Sequence, residues 1–137
     1  MKFSVDILIR FEHCDPAGIV FYPRYFEMFN RVVEDWFGGG LDTSFRCLHD
    51  DMKSGVPTVH TDCDFMLPSR LGDIVTFDLN VEGIKSSSFT LNISAHAEGR
   101  ERLRARLVLA FVSLDGKIRA LPIPDPIRGR MEQYLVQ

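Results

Sequence analysis

The stretch Asp15-Pro16-Ala17-Gly18-Ile19-Val20-Phe21-Tyr22-Pro23-Arg24-Tyr25-Phe26 writes a bend and then a helix start into one short run of the chain. Pro16 fixes φ and lacks an N–H, and Gly18 reaches backbone conformations closed to residues with a Cβ. Pro23 suits the first turn of a helix, where its missing donor is not needed. A helix start leaves several N–H groups unpaired and carries partial positive charge, which favours an oxygen that is gaining negative charge. Asp15 is expected to stand one turn away from that charge. Taken alone, an Asp-Pro pair does no more than shape a turn.

Upstream of the bend, Phe3, Val5, Ile7, Ile9 and Phe11 alternate with Ser4, Asp6, Leu8 and Arg10, the period of a strand with one buried face. Downstream, Phe26, Phe29, Val33, Trp36 and Phe37 recur at helical spacing over residues 23–37, while Glu27, Arg31 and Asp35 form an i, i+4 charge series. Gly38-Gly39-Gly40 is expected to stop this helix. Its aromatic content calls for a broad apolar partner such as a curved sheet. A second, short helix is predicted at 44–53, capped by Thr43 and ended by Gly55. Strand-like runs follow at 56–67, 74–84, 87–97 and 103–114, the last three joined by short links as in an antiparallel meander. Pattern alone reaches α+β and stops there.

A chain of 137 residues fits one domain, 1–137, and buries about two-thirds of its unfolded surface. A net charge of −3 gives no general attraction for nucleic acid. The charged start Met1-Lys2-Phe3-Ser4-Val5-Asp6 is not a signal peptide, and no apolar run nears the ~20 residues of a membrane span, so the chain reads as cytoplasmic. Cys14, Cys47 and Cys63 are odd in number and widely spaced, which favours reduced thiols over a disulfide framework or a zinc site.

Residues 15–23 resemble the signature of the 4-hydroxybenzoyl-CoA thioesterase family of hotdog-fold proteins, in which an Asp-Pro-Ala-Gly-Ile-Val segment precedes a Tyr-Pro helix start. The likeness runs over nearly the whole chain, through Val56-Pro57, the region from Lys85 to Phe89, and the closing Ile118-Arg119-Ala120-Leu121-Pro122-Ile123-Pro124. It implies a hotdog fold, an antiparallel sheet wrapped around one long central helix. It also implies an acyl-CoA thioesterase that releases free acid and coenzyme A from an aromatic or short-chain ester. On this resemblance Asp15 is the nucleophile or general base and the Tyr22 backbone N–H the oxyanion donor. Gly18 is a substrate-binding residue of the motif, and Tyr25, Phe26 and Asn30 fall on the acyl side, with Phe21 and Phe29 as further apolar wall. Lys85, Ser87, Ser88 and Arg119 fall on the coenzyme A side. Lys85 is followed by three serines where aryl-specific relatives have a basic cluster, so Arg128 and Arg130 are candidates to compensate. Asn30 stands where hydroxybenzoyl-specific relatives are expected to have a carboxylate. No metal or other cofactor is implied, and a homodimer or homotetramer joined at sheet edges is expected.

Other readings of the same residues are a non-catalytic acyl-CoA-binding module and a hotdog hydratase, which wants an Asp-His pair. His13 and Cys14 beside Asp15 suggest a Cys-His pair, but adjacent residues in extended chain point apart. His49-Asp50-Asp51 and His60-x-Asp62-x-Asp64 carry metal-ligand residue types, which a polar helix face or alternating strand residues explain as well. Glu34 and Asp35 are reserve carboxylates on a solvated helix face.

Overall fold

A computed structural model describes residues 1–137. Strand β1 is Phe3–Leu8 and helix α1 is Pro23–Gly39. The strands that follow are β2, Ser54–Gly55; β3, Thr58–Phe65; β4, Ile74–Ile84; β5, Ser88–Ala97; and β6, Arg100–Ala110. The chain closes with β7, Val112–Ser113; β8, Arg119–Ala120; and helix α2, Asp125–Glu132. The main sheet is antiparallel in the order β1-β4-β5-β6-β3, and β2-β7-β8 form a small second sheet.

Register explains the core. Phe77, Ala95 and Leu103 lie abreast on one face, followed by Leu79, Ile93 and Ala105, then Val81, Leu91 and Leu107. All nine are buried. Against this face α1 lays Tyr25, Met28, Phe29, Val32, Val33, Trp36 and Phe37. At about 2 kcal/mol for each large apolar side chain removed from water, this one helix face supplies much of the driving force for folding. The hotdog architecture expected from the sequence is the one observed.

Three local expectations differ. β1 ends at Leu8, and Phe11 sits in a 3₁₀ turn, Phe11–His13, with its ring exposed, because the chain must leave the sheet to form the bend. The second helix is a short π-helical turn, Cys47–Asp51. Its cap is Ser44, whose Oγ accepts from Cys47 N at 3.1 Å, while Thr43 turns its hydroxyl to Leu41 O, and Lys53 ends the segment at φ +50° ahead of Gly55. The last predicted strand breaks at Phe111, where the chain passes from β6 to the small sheet. Helix α2 was not expected. Its Ile127 and Met131 are buried, and Val81 N and Val136 N bond Tyr134 O and Val81 O, which fastens the C-terminus to β4.

Candidate active site

The bend is built from its own hydrogen bonds. Gly18 N donates to Asp15 O at 2.9 Å, Asp15 N to Ile19 O at 3.0 Å, and Ala17 N to Asp15 Oδ1 at 2.9 Å. One carboxylate oxygen of the half-buried Asp15 is therefore tied to the turn, and Oδ2 is left without a partner. Gly18 has φ +78° with open space where a Cβ would be, so glycine is needed here for backbone handedness and not for room. The bend rests on segment 68–71: Val20 N donates to Ser69 O at 2.9 Å, and Leu71 N to Gly18 O at 3.1 Å.

The start of α1 follows at once. Phe21 N donates to His13 O, Arg24 N to Phe21 O and Tyr25 N to Tyr22 O, and Pro23 has no N–H. Tyr22 N–H alone among these residues donates to nothing. It is a free donor at the positive end of a 17-residue helix. Acyl transfer requires a donor for the charge that develops on the carbonyl oxygen and a carboxylate as base or nucleophile, and Tyr22 N–H and Asp15 Oδ2 are unbonded groups of these two kinds within residues 15–22.

Two shallow recesses of ≈230 Å³ each flank the helix start. One is lined by Tyr22, Tyr25, Phe65, Met66 and Leu67, and the other by Phe26, Asn30, Thr58 and Thr61. Tyr25 and Phe26 thus fall in different recesses. Burial raises the pKa of the Tyr25 phenol, and hydrogen bonding to Ser69 pulls the other way. Phe29 is core, edge-on to Phe77, and Phe21 is half exposed. His13 faces a separate polar cavity with Glu12, Arg24 and Arg31, and its Nδ1 accepts from Arg10 N. That bond and the Phe21 bond make His13 a structural residue. Glu34 and Asp35 are exposed on α1. No three His, Cys, Asp or Glu side chains converge as a metal site requires.

The basic group lies elsewhere. Lys85, Ser86 and Ser87 form the β4–β5 link and Ser88 opens β5; Lys85 N donates to Ser88 O at 2.7 Å, and Ser87 O accepts from Phe111 N, next to the small sheet that carries Arg119. Lys85 and Arg119 are exposed, with no ion-pair partner. Arg128 is already engaged: its guanidinium donates to the carbonyls of Lys85 and Ser86 and so braces the hairpin. Arg130 lies by Asp42 at 3.8 Å. The bend at Asp15 abuts the start of β4, while Lys85 follows its end, 11 residues later. At ~3.3 Å per residue β4 runs roughly 35 Å, so the two halves of the expected site lie toward opposite ends of that strand in one chain. Sequence reading also passed over Phe65, Met66, Ser69 and Arg102, whose approach to the bend depends on strand register.

The chain matches the family model described as the thioesterase-like superfamily over residues 9–131. It is 29% identical over 110 residues to a 1,4-dihydroxy-2-naphthoyl-CoA hydrolase of Acaryochloris marina, covering 78% of each chain. It is 25% identical over 126 residues to the 4-hydroxybenzoyl-CoA thioesterase of Pseudomonas sp. strain CBS-3, covering 85% of this chain and 87% of that one. The crystal structure of a 4-hydroxybenzoyl CoA thioesterase mutant complexed with 4-hydroxybenzoyl CoA superposes with a TM-score of 0.88 at 22% identity, over 95% of this chain and 98% of that one. This likeness speaks to fold.

Proposed function

The chain belongs to the thioesterase-like superfamily, and from that premise we propose that it hydrolyses an aromatic acyl-CoA ester, with Asp15 and the Tyr22 N–H as the reacting groups. The relatives named for 4-hydroxybenzoyl-CoA and 1,4-dihydroxy-2-naphthoyl-CoA support the aromatic acyl class. The observation that carries the reading is the pairing of one unbonded Asp15 carboxylate oxygen with one unbonded N–H at the start of α1. The ester carbonyl oxygen accepts from Tyr22 N–H. Either Asp15 takes a proton from water as the hydroxide oxygen adds to the carbonyl carbon, or the carboxylate adds directly and water opens the mixed anhydride. In both routes the C–S bond breaks as the oxyanion collapses, and the thiolate takes up a proton.

The separation of Asp15 from Lys85 and Arg119 argues for a two-fold oligomer. β3 is an unpaired sheet edge exposed on both faces. Such edges in small sheets call for a partner. Antiparallel pairing of two β3 edges sets the Phe65 end of one chain beside the Thr58 end of the other. The Phe65 end lies by Tyr22 and Tyr25, and the Thr58 end lies by Pro57, Ala110 and the Ser87 link. A dimer formed in this way has two sites, each with the carboxylate of one chain and the cations of the other, and a tetramer follows if dimers pair again.

The test is thiol release from a panel of aryl, phenylacetyl, short- and medium-chain CoA esters by the native chain and by Asp15→Asn, each checked for folding. The expected result is turnover of an aryl ester and a loss of at least ~10² in kcat in the variant. Equal activity in both would move the chemistry to another residue. Saturable binding of the esters without thiol release would make the protein a binding module.

A further inference from the structure

Arg102 is the extra residue of a β-bulge: Ala95 pairs with Leu103 and His96 with Glu101, so Arg102 has no partner across the ladder. The bulge turns its side chain inward, and Arg102 and Leu103 are buried in succession. The Arg102 side chain is 8% exposed. Nη1 donates to Pro68 O at 2.9 Å, Asp73 Oδ2 at 3.1 Å and Ser69 Oγ at 3.3 Å, and Nη2 donates to Ala97 O at 3.2 Å. The Arg102 carbonyl also accepts from Met66 N and Leu67 N. Asp73 in turn accepts from Arg70 N at 2.9 Å.

Apart from the bond to Ala97 O on β5, these bonds converge on segment 66–73, and that segment carries the bend. Ser69 O receives Val20 N–H, Arg70 bridges Ile19, and Leu71 N reaches Gly18 O. Nε of Arg102 is buried without a partner, a cost that an interior side chain bears only when its geometry is set by other demands. An apolar residue at this position would fill the volume without that cost, but it would take the guanidinium donor from Pro68 O, Ser69 Oγ and Asp73 Oδ2, the last of which keeps only Arg70 N.

We propose that Arg102 is a positioning residue that sets the height and orientation of the Asp15 turn through segment 68–71. It touches no reacting atom. Its effect on turnover rests on the thioesterase reading above, whereas its effect on the turn does not. The distinction matters because a displacement of about 1 Å at a reacting group costs up to ~10²-fold in rate.

Arg102→Ala and Arg102→Lys are compared with the native protein in three ways: kcat and KM on the best ester of the panel, hydrogen exchange of the Gly18 and Val20 amides, and recovery on adding sub-denaturing guanidinium. Positioning predicts a fall of roughly 10-fold to 10²-fold in kcat with KM held. It predicts faster exchange at Gly18 and Val20 while amides of β4 and β5 keep their protection. It predicts that guanidinium recovers kcat in Arg102→Ala but not in Asp15→Asn. An unchanged kcat in a folded variant overturns the proposal, as does exchange that rises evenly through the sheet or stays unchanged at the two amides. If Arg102→Ala does not fold, Arg102→Lys is judged on kcat, KM and exchange. If the native protein cleaves no ester, the thioesterase reading fails, and exchange alone decides whether Arg102 sets the turn.

Discussion

Tyr22 has φ −52°, within the range that proline imposes, and its N–H donates to nothing in the folded chain. Tyr22→Pro therefore removes the candidate oxyanion donor with little demand on the backbone of residue 22. The expected outcome is a loss of about 10²–10³ in kcat with the thermal unfolding midpoint near the native value. Retained activity in this variant would remove Tyr22 N–H from the chemistry. The features behind this prediction are legible in the sequence because each is local: Pro16 and Pro23 declare their missing donors, Gly18 its positive φ, and Asp15 its bond two residues on. Ser69 and Arg102 are not legible in the same way. Arg102 sits in a run with Arg100 and Arg104, and only the bulge that turns one of the three inward tells them apart.

The end of α1 was legible as a stop but not for the right reason. Gly40 has φ −97°, which any residue adopts, so handedness does not demand a glycine. Crowding does, because a Cβ there would lie 2.7 Å from Trp36 Cδ1 and 2.8 Å from the Tyr134 hydroxyl. Gly40→Ala should destabilise by about 1–3 kcal/mol in urea unfolding and leave kcat unchanged where the protein is folded, since the helix start is distant. Tyr134 belongs to the C-terminal tail, and α2 before it escaped prediction because eight residues give too few turns for a periodicity to stand out. The 66–73 connection makes a second prediction. Asp73 has its pKa held below the ordinary 3.8 by the Arg70 N–H, then by the Arg102 guanidinium, against its own desolvation. A carboxylate with a lowered folded-state pKa contributes stability that is fully present above the unfolded value and is lost as pH falls through the folded one. Native protein should thus lose stability more steeply than Asp73→Asn as pH drops below 3.8, read as the unfolding midpoint against pH. Parallel curves would remove Asp73 from the acid response.

Two groups of residues that a sequence motif search would assign to one site stand at opposite ends of β4, and no local signal in the chain reports that distance. What the sequence does carry is the edge: residues 58–65 alternate polar and apolar without committing either face to the core, and β3 is exposed on both sides. In the proposed dimer, antiparallel pairing through that edge reverses one chain against the other and would convert the separation into a shared site. The consequence is measurable without a structure of the oligomer. Asp15→Asn lacks the carboxylate, and a Lys85→Glu, Arg119→Glu double variant lacks the cations, so each protein alone should be impaired at low substrate. When the two are unfolded together and refolded as an equimolar mixture, half of the dimers combine one chain of each kind. In such a dimer one site receives both defects and the other receives none. Random assortment therefore restores roughly a quarter of native activity. If both halves of the site came from a single chain, every site in the mixture would keep a defect, and co-refolding would restore nothing.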